Sequence, residues 1–254
     1  MLTHCSLLVF AFAALLPAQT THVVQGGGAA LQAAINAAAP GDILDVMPGS
    51  YSSITVTRGL RISMRPGASL AGTWAMPAVP AVTITTLPAQ EAVVIEGGSF
   101  DSIHAIDCLG AVVCNRTDHL PVILFNSSRI ERCTGPVLWQ QVVQPWGPGF
   151  APIHVVDSTQ VSFKSCDLEE LVVTNSRVSL ADTRIPANGG ARPAIDVVSG
   201  TVVIAGGHCV GGQLHGFMFA PGIRLVQGDL VLAGGAQVES SFPVISNLPA
   251  IATT

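Results

Sequence analysis

Charge is scarce in this chain. Only 11% of its 254 residues are Asp, Glu, Lys or Arg, against roughly 25% in ordinary soluble domains. Lys164 is the single lysine, set against ten arginines. No basic cluster occurs, so nucleic acid and anionic membrane surfaces are poor partners for it. Past residue 16 no apolar run is long enough to be a membrane helix. The cysteine spacings do not fit a zinc site. No Asp-Asp pair and no glycine-flanked serine elbow is present. What the chain has instead is glycine (26) and proline (17), with abundant Val, Ile and Thr. That mixture favours many short strands joined by turns.

The first residues read as an export signal. Ser6 to Leu16 (SLLVFAFAALL) is apolar but too short to span a bilayer, and Pro17-Ala18 offers a small-residue cleavage point. Residues 1–18 are therefore expected to be a signal peptide, and the mature protein to be secreted, periplasmic or held at the cell surface. An uncleaved buried or interfacial segment is the alternative. Residues 19–28, ending in three glycines, read as a linker. Those glycines precede a helix but lack the Gly-Lys-Ser/Thr of a phosphate loop.

From residue 29 the chain reads as one domain to residue 254. Ala29–Ala39 is expected to be a helix, with Leu31, Ile35 and Ala38 on one face at i, i+4 and i+7. Pro40-Gly41 stops it. A helix this short is marginal alone, so it must cover something apolar.

What it covers is legible downstream. In Ile195–Ile204, apolar residues fall at offsets 0, 2, 7 and 9. Leu171, Val173, Val178 and Leu180 repeat those offsets, as do Ile223, Leu225, Leu230 and Leu232. Ile153, Val155, Val161 and Phe163 match with one residue added in the turn; Ile54, Val56, Leu60 and Ile62 match with one removed. Ile123, Phe125 and Ile130 match three of the four positions, and Arg132 breaks the fourth. Each unit is an alternating strand, a polar corner such as Asp157-Ser158-Thr159 or Thr174-Asn175-Ser176, and a second alternating strand. A repeat that keeps its offsets while tolerating insertions is a solenoid. A β-sandwich also gives short alternating strands, but it does not predict recurring offsets with a fixed corner.

The run GDILDVMPGSYSSITVTRGLRISMRPG resembles the opening of secreted right-handed parallel β-helix proteins of the pectin-lyase-like superfamily. There an N-terminal helix caps the coil, and a Gly-Asp, apolar strand, Pro-Gly and Tyr lead into the first turn. The resemblance implies an all-β, right-handed parallel β-helix with a short N-terminal cap helix. It also implies polysaccharide binding or pectate-lyase-like cleavage. In such lyases an Arg or Lys serves as base and outer-face acidic residues bind calcium, the one metal implied here. The fold also hosts inert surface proteins, so a non-catalytic structural or adhesive module is the alternative.

The candidate residues follow from the repeat. At offset 6 the units place Arg129, Gln160, Arg177, Thr201 and Asp229 in one outward column. Arg129 and Arg177, with Lys164 nearby, are the candidates for catalysis or for gripping a uronate carboxylate; a solvated row that blocks aggregation is the alternative. Glu131 and Asp157 are outward neighbours. Trp139 and Trp146, in an insertion read over 135–151, are candidates to stack on sugar rings; folding them onto the coil is the alternative. Five cysteines follow the signal. Cys133 and Cys166 occupy similar repeat positions and are expected to pair, as are Cys108 and Cys114, leaving Cys209 single. Outward Val172, Val198, Val203, Val226 and Val231 leave an apolar outer face that a protein partner could cover.

Overall fold

The structure, a computed structural model, describes residues 19–72, 79–119, 128–143, 152–168, 170–186, 193–210, 213–214, 218–219, 221–239 and 251–253. The chain winds as a parallel β-helix, and its two large sheets run the length of the coil.

Sheet 1 takes Thr21–Val24, Ile43–Val46, Leu60–Ala71, Ala92–Phe100, Ala111–Asn115, Val137–Gln140, Val161–Lys164, Ser176–Ala181, Gly200–Ala205 and Asp229–Ala233 in that spatial order. Sheet 2 takes Ile54–Val56, Val82–Thr85, Ile103–Ile106, Arg129–Glu131, Ile153–Val156, Leu171–Thr174, Ile195–Val197, Ile223–Leu225 and Ile251–Thr253. A short sheet 3, Arg184–Pro186, His208–Val210 and Gln237–Glu239, closes the late turns. The pairing within these three sheets is parallel throughout, as winding in one direction requires.

Alternation drives the winding. In Val161–Lys164 and Leu171–Thr174 every second side chain is buried and points inward. Inward residues of successive turns then stack: Val155 pairs with Val173, Val173 with Val197, and Val197 with Leu225. Each fully buried Val, Leu or Ile contributes about 1.5–3 kcal/mol. Spread over the 0%-exposed ladder from Leu44 to Ile223, this is the main stabilising force of the coil.

The corners have their own chemistry. Leaving sheet 2, one residue per turn takes a left-handed backbone: Asp107, Arg132, Asp157 and Asn175, with φ of 54°, 52°, 50° and 45°. Leaving sheet 1, Arg116, Gln141, Ser165 and Asp182 do the same. The residue after the first corner points inward and is small. Ser158 and Ser176 each donate their hydroxyl to the carbonyl two residues back, at 2.9 and 2.7 Å. Each also accepts an N–H from the preceding turn, Cys133 and Ser158 respectively, at 3.1 and 3.0 Å. Buried backbone groups at the bends are satisfied in this way.

The helix forms over Ala30–Ala37 and buries Leu31 and Ile35 on the first turn of the coil. Asp42 fixes it in place. Its carboxylate accepts the N–H groups of Ala39 (2.9 Å) and Thr20 (3.0 Å) and meets His22 Nε2 at 2.9 Å. Residues 21–24, expected within a linker, are instead the first strand of sheet 1, paired with Ile43–Val46. Val24 is buried beneath the helix end, and that burial recruits the segment into the sheet. Residues 1–18 and 240–250 lie outside the described residues. No helix among the described residues is long and apolar enough to cross a membrane.

Candidate functional site

The two large sheets present two outer faces, and the expected column of arginines is divided between them. Arg129 pairs with His104 on one side and His154 on the other, which places it in sheet 2. Arg177 pairs with Thr201 in sheet 1, and Thr201 with Asp229. Arg129 and Arg177 therefore do not flank Gln160. The expectation was displaced by half a turn. Ile130 stacks on Ala105 and Val155, so it belongs to the first strand of its turn rather than the second.

On sheet 2 the outward row runs Thr83, His104, Arg129, His154, Val172, Asp196 and Arg224. Its charges are matched internally. Arg129 Nε meets Glu131 at 2.6 Å. Arg132 contacts Glu131 and grips Asp107 through both carboxylate oxygens, at 2.6 and 3.0 Å. Arg224 grips Asp196 with a two-point fork. At the corner, Asn175 donates to Asp157 at 2.7 Å. The Arg132 hydrogen bond holds the Asp107 carboxyl below its usual range. His154 is half-buried, and burial first, then the Arg129 charge, pushes its imidazole below its ordinary value. The two histidines beside Arg129 were not singled out in the sequence. They lie 50 residues apart, and only the shared strand position joins them. Among the described residues no group of three or more His, Cys, Asp or Glu is arranged to hold a metal ion.

On sheet 1 the early turns are matched as well, Arg61 with Glu96 at 2.6 Å and Arg65 with Asp45 at 2.8 Å, but among the described residues the later turns are not. A shallow groove of about 540 Å³ is lined by Thr159, Gln160, Val161, Ser162, Arg177 and Ser179. The register builds it. Val161 pairs with Val178 and Ser162 with Ser179, so Gln160 lies beside Arg177 one position earlier and the two serines stack outward. Lys164 stands further along the same strand, opposite Ala181. Four residues of extended chain separate Ala181 from Arg177, about 13 Å. Arg177 and Lys164 are exposed, and neither forms an ion pair among the described residues. The groove thus carries a guanidinium fork at one end, an ammonium beyond the other, and hydroxyl and amide groups between. That set suits an acidic group flanked by sugar hydroxyls.

The tryptophan expectation divides as well. Trp139 is not on a loop. It lies inward on Val137–Gln140, is 1% exposed and cannot stack on a bound sugar. It packs edge-on against Phe163 of the next turn. An inward position in a turn this wide takes the largest side chain, and Leu138 points outward beside it. Trp146 lies outside the described residues.

The structure joins neither expected pair, Cys133 with Cys166 or Cys108 with Cys114; all five described cysteines are buried thiols. Cys133 follows a sheet 2 strand and Cys166 a sheet 1 strand, so they occupy different corners. Burial pushes the thiols of Cys114, Cys166 and Cys209 up, Cys209 to about 12, which makes them inert core residues. The outward valines are where they were expected: Val198, Val226 and Val231 are 38%, 42% and 47% exposed. Comparison of the chain with protein-family models, with curated proteins and with solved structures finds no match.

Proposed function

We propose that this protein is an exported β-helix that holds an acidic polysaccharide along the sheet 1 groove. Arg177 grips a carboxylate, Lys164 supplies a second positive charge, and Gln160, Ser162 and Ser179 meet the sugar hydroxyls. The observation that carries the reading is that, among the described residues, these two cations lack the acidic partner that Arg61 and Arg65 have on the same sheet and that the sheet 2 arginines have on theirs. The cations of the sheet 2 row are matched by Glu131, Asp107 and Asp196, while Arg177 and Lys164 have no such partner among the described residues. Likeness of the residues 41–67 run to pectin-lyase-like openings supports the class of ligand, and the apolar stretch at residues 6–16 supports export.

The test is binding and turnover on a panel of uronate and neutral polysaccharides, with and without calcium, following unsaturated and reducing products. Uronate binding is expected, weakened about tenfold or more by Arg177→Ala, the worth of one charge-assisted contact. Arg129→Ala is expected to leave it unchanged. Equal loss in both variants, or no binding to any polysaccharide, contradicts the proposal.

A second reading, a non-catalytic structural or adhesive module, is favoured by the exposed valines. Val198 and Val226 stack on adjacent turns of sheet 2 and Val203 pairs with Val231 on sheet 1. Absence of both binding and product release under every condition supports this reading over the first.

A further inference from the structure

We propose that Cys108 and Cys133 are a disulfide-forming pair, a covalent staple between neighbouring turns of the coil. The register pairs Ile106 with Glu131, so two residues later Cys133 lies directly on Cys108. The backbone holds them there. Thr134 N–H and Gly135 N–H both donate to the Cys108 carbonyl, at 3.0 and 3.2 Å. In-register neighbours across a sheet lie about 4.8 Å apart, inside the roughly 4.4–6.8 Å that a disulfide spans between Cα atoms.

The side chains are in register as well. Cys108 Sγ lies 3.5 Å from the Ile106 carbonyl and Cys133 Sγ 3.5 Å from the Glu131 carbonyl, the same inward pose one turn apart. Each also reaches the turn before it, Ile84 O at 3.6 Å and Ala105 O at 3.4 Å. No other cysteines among the described residues are stacked in this way. Cys114 lies between Ile95 and Trp139, and Cys209 between Ile185 and Val238. Cys166 follows the other corner and bonds the Trp139 carbonyl.

One turn before Cys108 the same position holds the fully buried Leu87. In the next two turns it holds Ser158 and Ser176, which make the corner hydrogen bonds well. A thiol is a weaker donor, so cysteine at two consecutive turns gives up hydrogen bonding. What it adds is an oxidisable pair.

The chemistry is thiol–disulfide exchange with an external disulfide such as glutathione disulfide. The Cys133 thiolate attacks one sulfur of the oxidant, a mixed disulfide forms and one glutathione thiolate leaves. The Cys108 thiolate then attacks the Cys133 sulfur, the protein disulfide closes and the second glutathione leaves. The two protons lost by the cysteines end on the two glutathione thiols. Both sulfurs are fully buried once the coil is closed, so exchange belongs to folding, before the turns seat on each other.

The staple does not depend on any glycan ligand. Its test is refolding from denaturant in a reduced/oxidised glutathione buffer, then alkylation of remaining thiols, intact mass and peptide mapping. Cys108→Ser and Cys133→Ser are compared with Cys166→Ser; the first two place the Ser158 side chain at a site built for it and are expected to fold. The expected result is a species lighter by two hydrogens whose cross-link joins Cys108 to Cys133. It persists in Cys166→Ser, vanishes in both other variants, and melts several degrees above the reduced form. Full alkylation of Cys108 and Cys133 after oxidative refolding, or a cross-link to any other cysteine, overturns the proposal.

Discussion

Trp139 and Phe163 meet edge to face across two turns of the coil, their ring centroids 5.4 Å apart and their planes at 78°. Both are buried, at 1% and 0% exposure. Trp139 is thus a structural residue. Trp139→Ala is expected to destabilise the protein by about 3–5 kcal/mol through cavity formation. Trp139→Phe, which keeps a ring at the site, is expected to cost less. Denaturant melts of the two variants check the order, and polysaccharide affinity of Trp139→Phe is expected to match the parent protein.

Asp42 sets an acid limit on the cap. The hydrogen bond with His22, then the Thr20 and Ala39 N–H groups, hold its carboxyl below the ordinary aspartate value near 3.8. A group lowered in the folded state contributes its stability fully above the unfolded value and loses it as pH falls through the folded one. Thermal melts from pH 6 down to pH 2 are expected to show a loss beginning near pH 4, reduced in Asp42→Asn. That variant is also expected to be less stable at pH 6, because the amide accepts fewer hydrogen bonds.

His154 gives a separate signature at milder pH. Its folded value is lowered by burial and by Arg129 from 6.5. The unfolded chain therefore binds a proton that the folded chain refuses, and stability declines as pH drops below about 6.5. His154→Gln is expected to flatten the stability profile just below pH 6.5 while leaving the acid loss due to Asp42 in place.

Gly200 is required where two turns approach closely. Its φ is +114°, and an added Cβ would meet the Ser176 carbonyl oxygen at 2.2 Å. Gly200→Ala is expected to cost about 1–3 kcal/mol from backbone strain, plus the displacement of the neighbouring turn. Gly26→Ala is the control for backbone strain alone, since its φ is +102° but a Cβ there has nothing within 4 Å, so the excess cost at Gly200 reads the clash. Chemical denaturation of the pair is expected to separate them clearly.

The strands were legible because alternation has a period of two and the core accepts only apolar side chains. Val173, Val197 and Leu225 fall in line for that reason. The cap helix was legible from Leu31 and Ile35, and the corners from Asp157, Ser158 and Asn175. What the alternation does not encode is which sheet a strand joins. Sheets 1 and 2 share the same period, and both corners use one left-handed residue, Asp107 at one and Arg116 at the other. A slip of half a turn keeps every apolar residue inward, so Ile130 fits either phase. That slip misplaced Arg129 and paired Cys133 with Cys166. Trp139 was misread because Leu138 beside it is also apolar and hides the alternation. The matching of Arg132 with Asp107 depends on side chains one turn apart and has no trace in local spacing.

The register of the turns underlies every placement above, and a distance measured between spin labels tests it most directly. Glu96, Asn115, Gln140, Lys164, Ala181 and Ala205 are successive in-register outward positions of sheet 1. At about 4.8 Å per turn, labels at Glu96 and Ala205 are predicted about 24 Å apart, and labels at Gln140 and Ala205 about 14 Å apart. Narrow distributions near those values, in that order, are the predicted result. Broad distributions, or a Glu96–Ala205 distance shorter than the Gln140–Ala205 distance, would contradict the coil.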